Sequence, residues 1–202
     1  MLKRAALGFR AHSGWAAVVA LTDSPAAPAV ILRRRLEICD PRIHGSKQPF
    51  HAAEPMEFTN AESYIRRCTE STRSLAEAAV RAVVAELSAM GFGVAGGCVL
   101  QGSGRPTGDL AKILSAHPLI HTAEGEFFRD ALSHACESCR LKFSGIKERE
   151  LVDHAAAVLH IPAPELERRA TELGKGIGPP WTQDQKLSAI AAWLILADQS
   201  VR

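Results

Sequence analysis

Nothing in the 202-residue sequence approaches the roughly 18 consecutive apolar residues of a membrane-spanning helix. Met1-Leu2-Lys3-Arg4 runs straight into alternating residues, without the apolar core of about 7–15 residues or the small-residue cleavage site of a secretory signal. A cytoplasmic protein with no membrane partner is therefore expected. Cysteine is scarce and odd in number. Cys39, Cys68 and Cys98 stand alone and only Cys136-Glu-Ser-Cys139 lie close together, which excludes a disulfide framework. That pair falls near a predicted helix C-terminus, away from the N-terminal position that lowers a redox thiol's pKa. No second ligand pair joins it and His134 to complete a zinc site. There is no internal repeat or low-complexity tract, and no residue set is assigned to a metal or an organic cofactor.

What is present is an ordinary globular mixture: 47% apolar and 23% charged residues, with 15 Gly and 11 Pro. This excludes a disordered or collagen-like chain. At this length a domain buries roughly 70% of its unfolded surface, so residues 1–202 are read as one domain that needs no covalent or metal staple. The net charge of +2 hides a local excess of +5 in residues 1–50. Basic strands there could face phosphates, or could guard a solvated sheet edge.

Arg4–Arg10, Gly14–Leu21 and Val30–Ile38 read as three extended runs joined by Ala11-His12-Ser13 and by the turn-rich Thr22-Asp23-Ser24-Pro25, a meander. In the third, Val30, Leu32, Leu36 and Ile38 share one face and Arg33, Arg35 and Glu37 the other; Arg34 interrupts the apolar face and is expected to mark a sheet end. Cys39–Phe58 carries Pro41, Pro49, Pro55, His44 and His51 and reads as a long loop, often a functional or mobile feature. A long helix follows. The capping box Thr59-Asn60-Ala61-Glu62 opens it, Ile65, Cys68, Leu75, Ala79, Val83, Leu87 and Met90 recur at helical spacing, and Gly91-Phe92-Gly93 stops it.

Val94–Leu100, rich in small residues, reads as a central buried strand. After it come the loop Gln101–Gly108, a short helix Asp109–Ala116, an extended link or strand Pro118–His121, a helix Glu124–Arg140 and a strand Leu141–Ile146. Helices over Lys147–His160, Pro164–Leu173 and about Thr182–Gln199 finish the chain, the last with Leu187, Ile190, Ala191, Leu194 and Ala197 on its core stripe.

The Gln101–Asp109 loop follows a buried strand and opens a helix, a place where backbone N–H groups can cradle an anion. It lacks the Gly-Lys-Ser/Thr of a Walker loop and the spacing of a dinucleotide fingerprint. A flexible turn capped by Thr107 is the simpler account, and Gln101, Ser103, Arg105 and Thr107 are the first candidates for a phosphate contact. His117, His121, Glu124 and Glu126 are of acid–base and metal-ligand type, but their spacing is not diagnostic, and the two glutamates also suit a helix's first turn. Glu148, Glu150 and Asp153 read as a solvated helix face, and Asp184 as a first-turn carboxylate. Trp193 reads as core, while Trp15 and Trp181 stay open between core packing and base stacking.

This order of elements resembles ribonuclease H-like folds, and most closely RuvC-like Holliday-junction resolvases. Gly8-Phe9-Arg10-Ala11-His12-Ser13-Gly14-Trp15-Ala16 looks like that family's first hairpin, with its Gly-Ile-Asp-x-Gly opening. Val99-Leu100-Gln101 sits where a second acid ends a buried strand, and Asp184-Gln185-Lys186-Leu187-Ser188-Ala189 looks like the start of the acidic final helix. The resemblance covers nearly the whole chain in element order. It implies an α/β fold whose mixed sheet, an antiparallel meander followed by parallel strands, is flanked by helices, with nucleic acid as partner and a homodimer as the assembly.

The family's nuclease chemistry needs clustered carboxylates to hold hard Mg²⁺ or Mn²⁺ ions. Here Arg10 stands at the first-strand acid, Gln101 at the second, and Leu187 opposite the final helix's second acid, which leaves Asp184. Arg10 puts positive charge where the metal should sit. The actin-like ATPases share the core fold, and their hairpin Asp is missing here too. The expectation is a RuvC-like protein with a degenerate metal-nuclease site and a nucleic-acid-binding or scaffolding role, with Arg10, Arg33 and Arg35 as candidate contacts. The alternative is an enzyme or a phosphate- or nucleotide-binding protein that uses the 101–109 loop, with Glu124, Glu126 or Asp184 as its catalytic groups at the same sheet end.

Overall fold

Small and branched apolar residues fill both faces of the first strands, so that Leu7 and Phe9 enter one core and Ala6 the other. This two-sided burial selects a sheet covered by helices on both faces. A computed structural model describes residues 2–104 and 108–198. Its five strands are β1 (Lys3–His12), β2 (Trp15–Ser24), β3 (Ala27–Glu37), β4 (Phe92–Gln101) and β5 (Lys142–Lys147), and its helices are α1 (Pro49–Ala53), α2 (Phe58–Ala89), α3 (Leu110–Leu114), α4 (His117–Ser138), α5 (Leu151–Leu159), α6 (Ala163–Glu172) and α7 (Gln183–Ala197). The strand order is β3-β2-β1-β4-β5. β1, β2 and β3 pair antiparallel, and β4 and β5 add in parallel, as the meander-then-parallel expectation requires.

The helices α2 and α4, with α1 at their side, cover the Leu7, Phe9 and Val18 face of the sheet. On the opposite face α7 lies against β1, β2 and β4, and α5 and α6 pack against α7. α7 is therefore buried nearly all round, including Ser188, Ala189, Ala192 and Trp193, where the sequence pattern predicts a single stripe. The reason is the outer layer of α5 and α6, which turns a half-covered helix into a central one. No helix among the described residues is long and apolar enough to cross a membrane. All five cysteines are free, four of them buried.

Several local expectations are corrected. In β3 the pairing with β2 shifts at Ala20/Leu21, so Val30 joins the α7 side while Leu32 and Leu36 face α2, and the strand does not keep one apolar face. Arg34 does not end the sheet; its guanidinium reaches Glu86 of α2 at 2.6 Å. Thr59 does not cap α2, which starts at Phe58, with the Asn60 and Ala61 N–H groups donating to the Glu57 carbonyl. The buried stripe of α2 includes Tyr64, Cys68, Thr72, Ala76 and Val80. Cys39–Phe58 is not all loop, because Pro49 opens α1. Residues 118–121 are helical, since Pro118 in the first turn of α4 forfeits only an N–H that has no partner there. Residues Lys147 to Glu150 end a strand and form a 3₁₀ turn before α5 begins.

The close seat of α7 on β1 depends on Gly8, where an added Cβ would lie 1.9 Å from the Ser188 carbonyl oxygen and 2.7 Å from the Ala192 nitrogen. Gly8→Ala should therefore lower stability by about 1–3 kcal/mol through overpacking against backbone that cannot yield. Urea unfolding with an unchanged m-value would register it; a variant as stable as the parent would show that α7 is seated elsewhere.

Candidate functional site

The parallel strands β1, β4 and β5 all end on one side of the sheet, with Phe9 paired to Val99 and Gln101 to Lys147. The chain places Arg10 and His12 at the end of β1 and Glu148 just past β5. The N-terminus of α7 arrives at the same end. Its start is fixed by a capping box in which the Thr182 N–H and hydroxyl donate to Gln185 Oε1 at 2.8 and 2.7 Å, and this presents Asp184.

Arg10 is the centre of the group. Its Nε and Nη2 donate to the two oxygens of Glu148 at 2.9 and 2.7 Å, a bidentate pair, and its Nη1 donates to Asp184 Oδ1. His12 Nε2 lies 2.9 Å from the same oxygen. The Arg10 and Asp184 side chains are only about one-fifth exposed, at 22% and 21%. The hydrogen bonds to Glu148 raise the Arg10 pKa against the opposing effect of burial, so the cation is permanent. Burial pushes the Asp184 carboxyl up, but the hydrogen bonds with Arg10 and His12 outweigh it and hold it below the usual carboxylate range.

A polar and aromatic row continues across the sheet. His12 stacks on Trp15 with ring centroids 4.2 Å apart and planes 11° apart, and the Arg35 guanidinium sits 3.8 Å over the Trp15 ring while bonding Glu37. Arg33 donates to the carbonyls of Gly178, Pro179 and Pro180 and so fastens the loop before α7. The three arginines read as nucleic-acid contacts thus all have partners inside the chain. Trp181 packs over Gly174 and donates to the Ala170 carbonyl at 2.9 Å, and Trp193 is core, donating to Pro25.

Beside this cluster an open groove of about 1120 Å³ runs along β5, lined among others by Gln101, Gly102, Gly104, Glu126, Lys147 and His154. Gln101 and Glu126 are brought together there. Ser103 is exposed near its mouth, and Arg105 and Thr107 fall outside the described residues. The short helix after the loop is capped by Asp109, which accepts from the Lys112 N–H at 2.8 Å.

Glu124 is elsewhere. It lies about two turns inside α4, not in a first turn, and is buried. Its Oε1 accepts from the Phe50 and His51 N–H groups at 2.8 and 3.0 Å and lies 3.1 Å from His51 Nδ1. Burial raises its carboxyl pKa, and these bonds oppose the rise. The three acids named from sequence therefore sit in three different surroundings: Asp184 on Arg10, Glu126 in the groove and Glu124 under α1. Sequence reasoning misses Glu148, His12 and His51 as site residues. For Glu148 no local signal exists, because its partner Arg10 lies 138 residues away in the chain.

No family model and no curated protein matches the chain. Among solved structures it is similar to Thermus thermophilus RuvC in complex with a Holliday junction substrate, at 8% identity over 95% of this chain and 91% of that one, with a TM-score of 0.53. It is also similar to a further Thermus thermophilus RuvC structure, at 8% identity over 94% and 92% of the two chains, with a TM-score of 0.50. The fold is thus the RuvC-like form of the ribonuclease H-like fold.

Arg10→Met keeps the aliphatic stem and leaves Glu148 and Asp184 facing each other without their cation. Stability at neutral pH should fall by about 1–3 kcal/mol, the cost of stranding partly buried hydrogen-bonding charges. Because the folded pKa of Asp184 is depressed, its contribution is present above its unfolded value of about 3.9 and is lost as pH falls through the lower folded value. The gap between parent and variant in denaturant melts should accordingly narrow below about pH 4. A gap that stays constant into stronger acid would show that the carboxylates do not carry it.

Proposed function

We propose that this protein is a single-domain, RuvC-like nucleic-acid-binding or scaffolding protein in which an internal arginine–carboxylate cluster stands in place of the metal-nuclease centre. One observation carries the reading: the Arg10 guanidinium is bound between Glu148 and Asp184. A divalent ion at this sheet end would have to displace a hydrogen-bonded cation and then share its place with that same positive charge. Gln101, at the end of β4, offers a neutral amide where a hard ion needs an anionic oxygen. Binding to a branched or bent duplex is supported by the likeness to a RuvC that holds a Holliday junction substrate. A homodimer belongs to the same proposal and is read by light scattering.

The test is fluorescence anisotropy with a labelled four-way junction, and with duplex and single-stranded controls, at two salt concentrations, with and without Mn²⁺. Junction binding should weaken with salt, with a slope of about 0.9 per phosphate neutralised. The junction should remain uncut in Mn²⁺. Absence of binding at low salt would remove the nucleic-acid role, and Mn²⁺-dependent cutting that Asp184→Asn abolishes would overturn the loss of the centre.

A second reading rests on the groove, whose size slightly exceeds the usual range for small-molecule sites and which joins Gln101 to Glu126. A phosphorylated small ligand there would raise the melting temperature in the parent and not in Lys147→Glu, which replaces a cation of the groove's lining by a carboxylate.

Arg10→Asp makes a sharper prediction. The introduced carboxylate would face Glu148 and Asp184 with no cation between the three, and by calorimetry the variant should bind one more equivalent of Mn²⁺ than the parent. Equal titrations for both proteins would show that Arg10 does not control access of cations to the sheet end.

A further inference from the structure

His117 and His121 lie four residues apart on α4, so their side chains share one helical face. Their Nε2 atoms are 3.1 Å apart. Ligand nitrogens on a tetrahedral zinc ion, at about 2.0–2.1 Å from the metal, are about 3.3 Å apart. The third histidine comes from a distant part of the sequence: α1 packs on α4 and sets the His51 ring 4.8 Å from that of His121 and 5.3 Å from that of His117. Ligand nitrogens of all three histidines lie within 4.8 Å of one another.

The outward nitrogen of His51 carries the second partner that metal-ligating histidines have. His51 Nδ1 is 3.1 Å from Glu124 Oε1, and His117 Nδ1 is 3.7 Å from Glu54 Oε1. The His51 ring is thus turned so that Nε2 points away from a carboxylate, the carboxylate–histidine–metal arrangement, and Glu54 stands within ion-pair reach of His117 without a hydrogen bond to it. Glu124 adds an independent sign. It is 7% exposed, and its Oε2 has no hydrogen-bond partner among the described residues. A buried carboxylate charge is costly without a compensating cation, and the group in direct contact with it is His51.

We propose that His51, His117 and His121 bind one zinc-class divalent transition-metal ion through their Nε2 atoms, fastening α1 to the start of α4. Imidazole-only ligation suits Zn²⁺, Cu²⁺ or Ni²⁺ and not Mg²⁺ or Ca²⁺, so the site is chemically distinct from any carboxylate centre at the sheet end. His117 and His121 are exposed, which leaves the fourth position to water. The proposal is independent of the nucleic-acid reading, since none of these residues belongs to the Arg10 cluster.

The experiment uses the full chain stripped with a chelator and titrated with Co²⁺ by visible absorption, then with Zn²⁺ by calorimetry, with Mg²⁺ as the control. One equivalent of Co²⁺ should give ligand-field bands of a four- or five-coordinate ion, Zn²⁺ should displace it, and Mg²⁺ should give no heat. His121→Ala, at an exposed position that leaves folding intact by circular dichroism, should abolish the bands. Glu124→Gln keeps an acceptor for the two N–H groups of α1 but removes the charge, and should weaken Zn²⁺ by about 10–100-fold. Absence of Co²⁺ bands in the parent, bands unchanged in His121→Ala, or an intense near-ultraviolet thiolate band marking a cysteine would each overturn the site. If Glu124→Gln does not fold, the His121→Ala result decides.

Discussion

The structure depends on how closely α7 lies on β1. Alternate residues of that one strand form the seat: Arg4, Ala6, Gly8, Arg10 and His12. In the middle, Ala6 and Gly8 are small enough for helix backbone to touch strand backbone, and a single added carbon at Gly8 would collide with Ser188. At one end Arg4 donates to the carbonyls of Ile195, Leu196 and Asp198, around the last turn of the helix, where a cation offsets the dipole. At the other, Arg10 and His12 take Asp184 in the first turn, where a carboxylate does the same. The lengths agree. Arg4 to Arg10 spans about 20 Å of strand, Asp184 to Ile195 about 16 Å of helix, and two long arginine side chains close the difference.

Arg10 is therefore part of both the docking of a core helix and the chemistry of the sheet end. It couples two carboxylates delivered by different elements, Glu148 from the turn after β5 and Asp184 from α7, and its charge does not titrate away. The row from Asp184 through His12 and Trp15 to Arg35 and Glu37 extends this neutralisation across three strands. The basic excess of the first fifty residues is consequently much less available to an outside anion than the count alone implies, because Arg10, Arg33 and Arg34 each have a carboxylate or carbonyl partner.

Much of this order is legible in the sequence because two-sided burial and helical spacing are local patterns. The meander, β4, β5 and the long helix all follow from them. What fails is set by contacts between distant residues. α1 is five residues long and has little helical pattern of its own; it is held by a carboxylate 74 residues away. The one-residue shift in β3 at Ala20/Leu21 reflects pairing with β2 and leaves no trace in the alternation of Val30 and Leu32. Glu124 reads as a first-turn charge only if Pro118 interrupts the chain, whereas Pro118 opens the helix. The Asp184 position is legible only through the resemblance, and its partner Glu148 is not, since a glutamate after a strand reads as solvated until a cation is placed opposite it.

A sheet end built from several facing carboxylates is unstable until a metal binds, because like charges in a partly buried site repel. Such a centre keeps its affinity for metal by accepting that cost in the metal-free fold. Replacing one acid by arginine reverses the sign of the interaction. Here Glu148 and Asp184 attract Arg10, the helix that carries Asp184 is held on β1, and the sheet end is a clamp that stabilises the fold without any added ion. On the proposed reading, that reversal is why the protein can keep a RuvC-like fold while its strand ends serve architecture. Open, chemically varied surface remains away from the clamp, at the groove along β5, where Gln101 meets Glu126, and at the histidine face of α1 and α4. Neither is restrained by Arg10, so both are free to carry a chemistry that the clamp itself excludes.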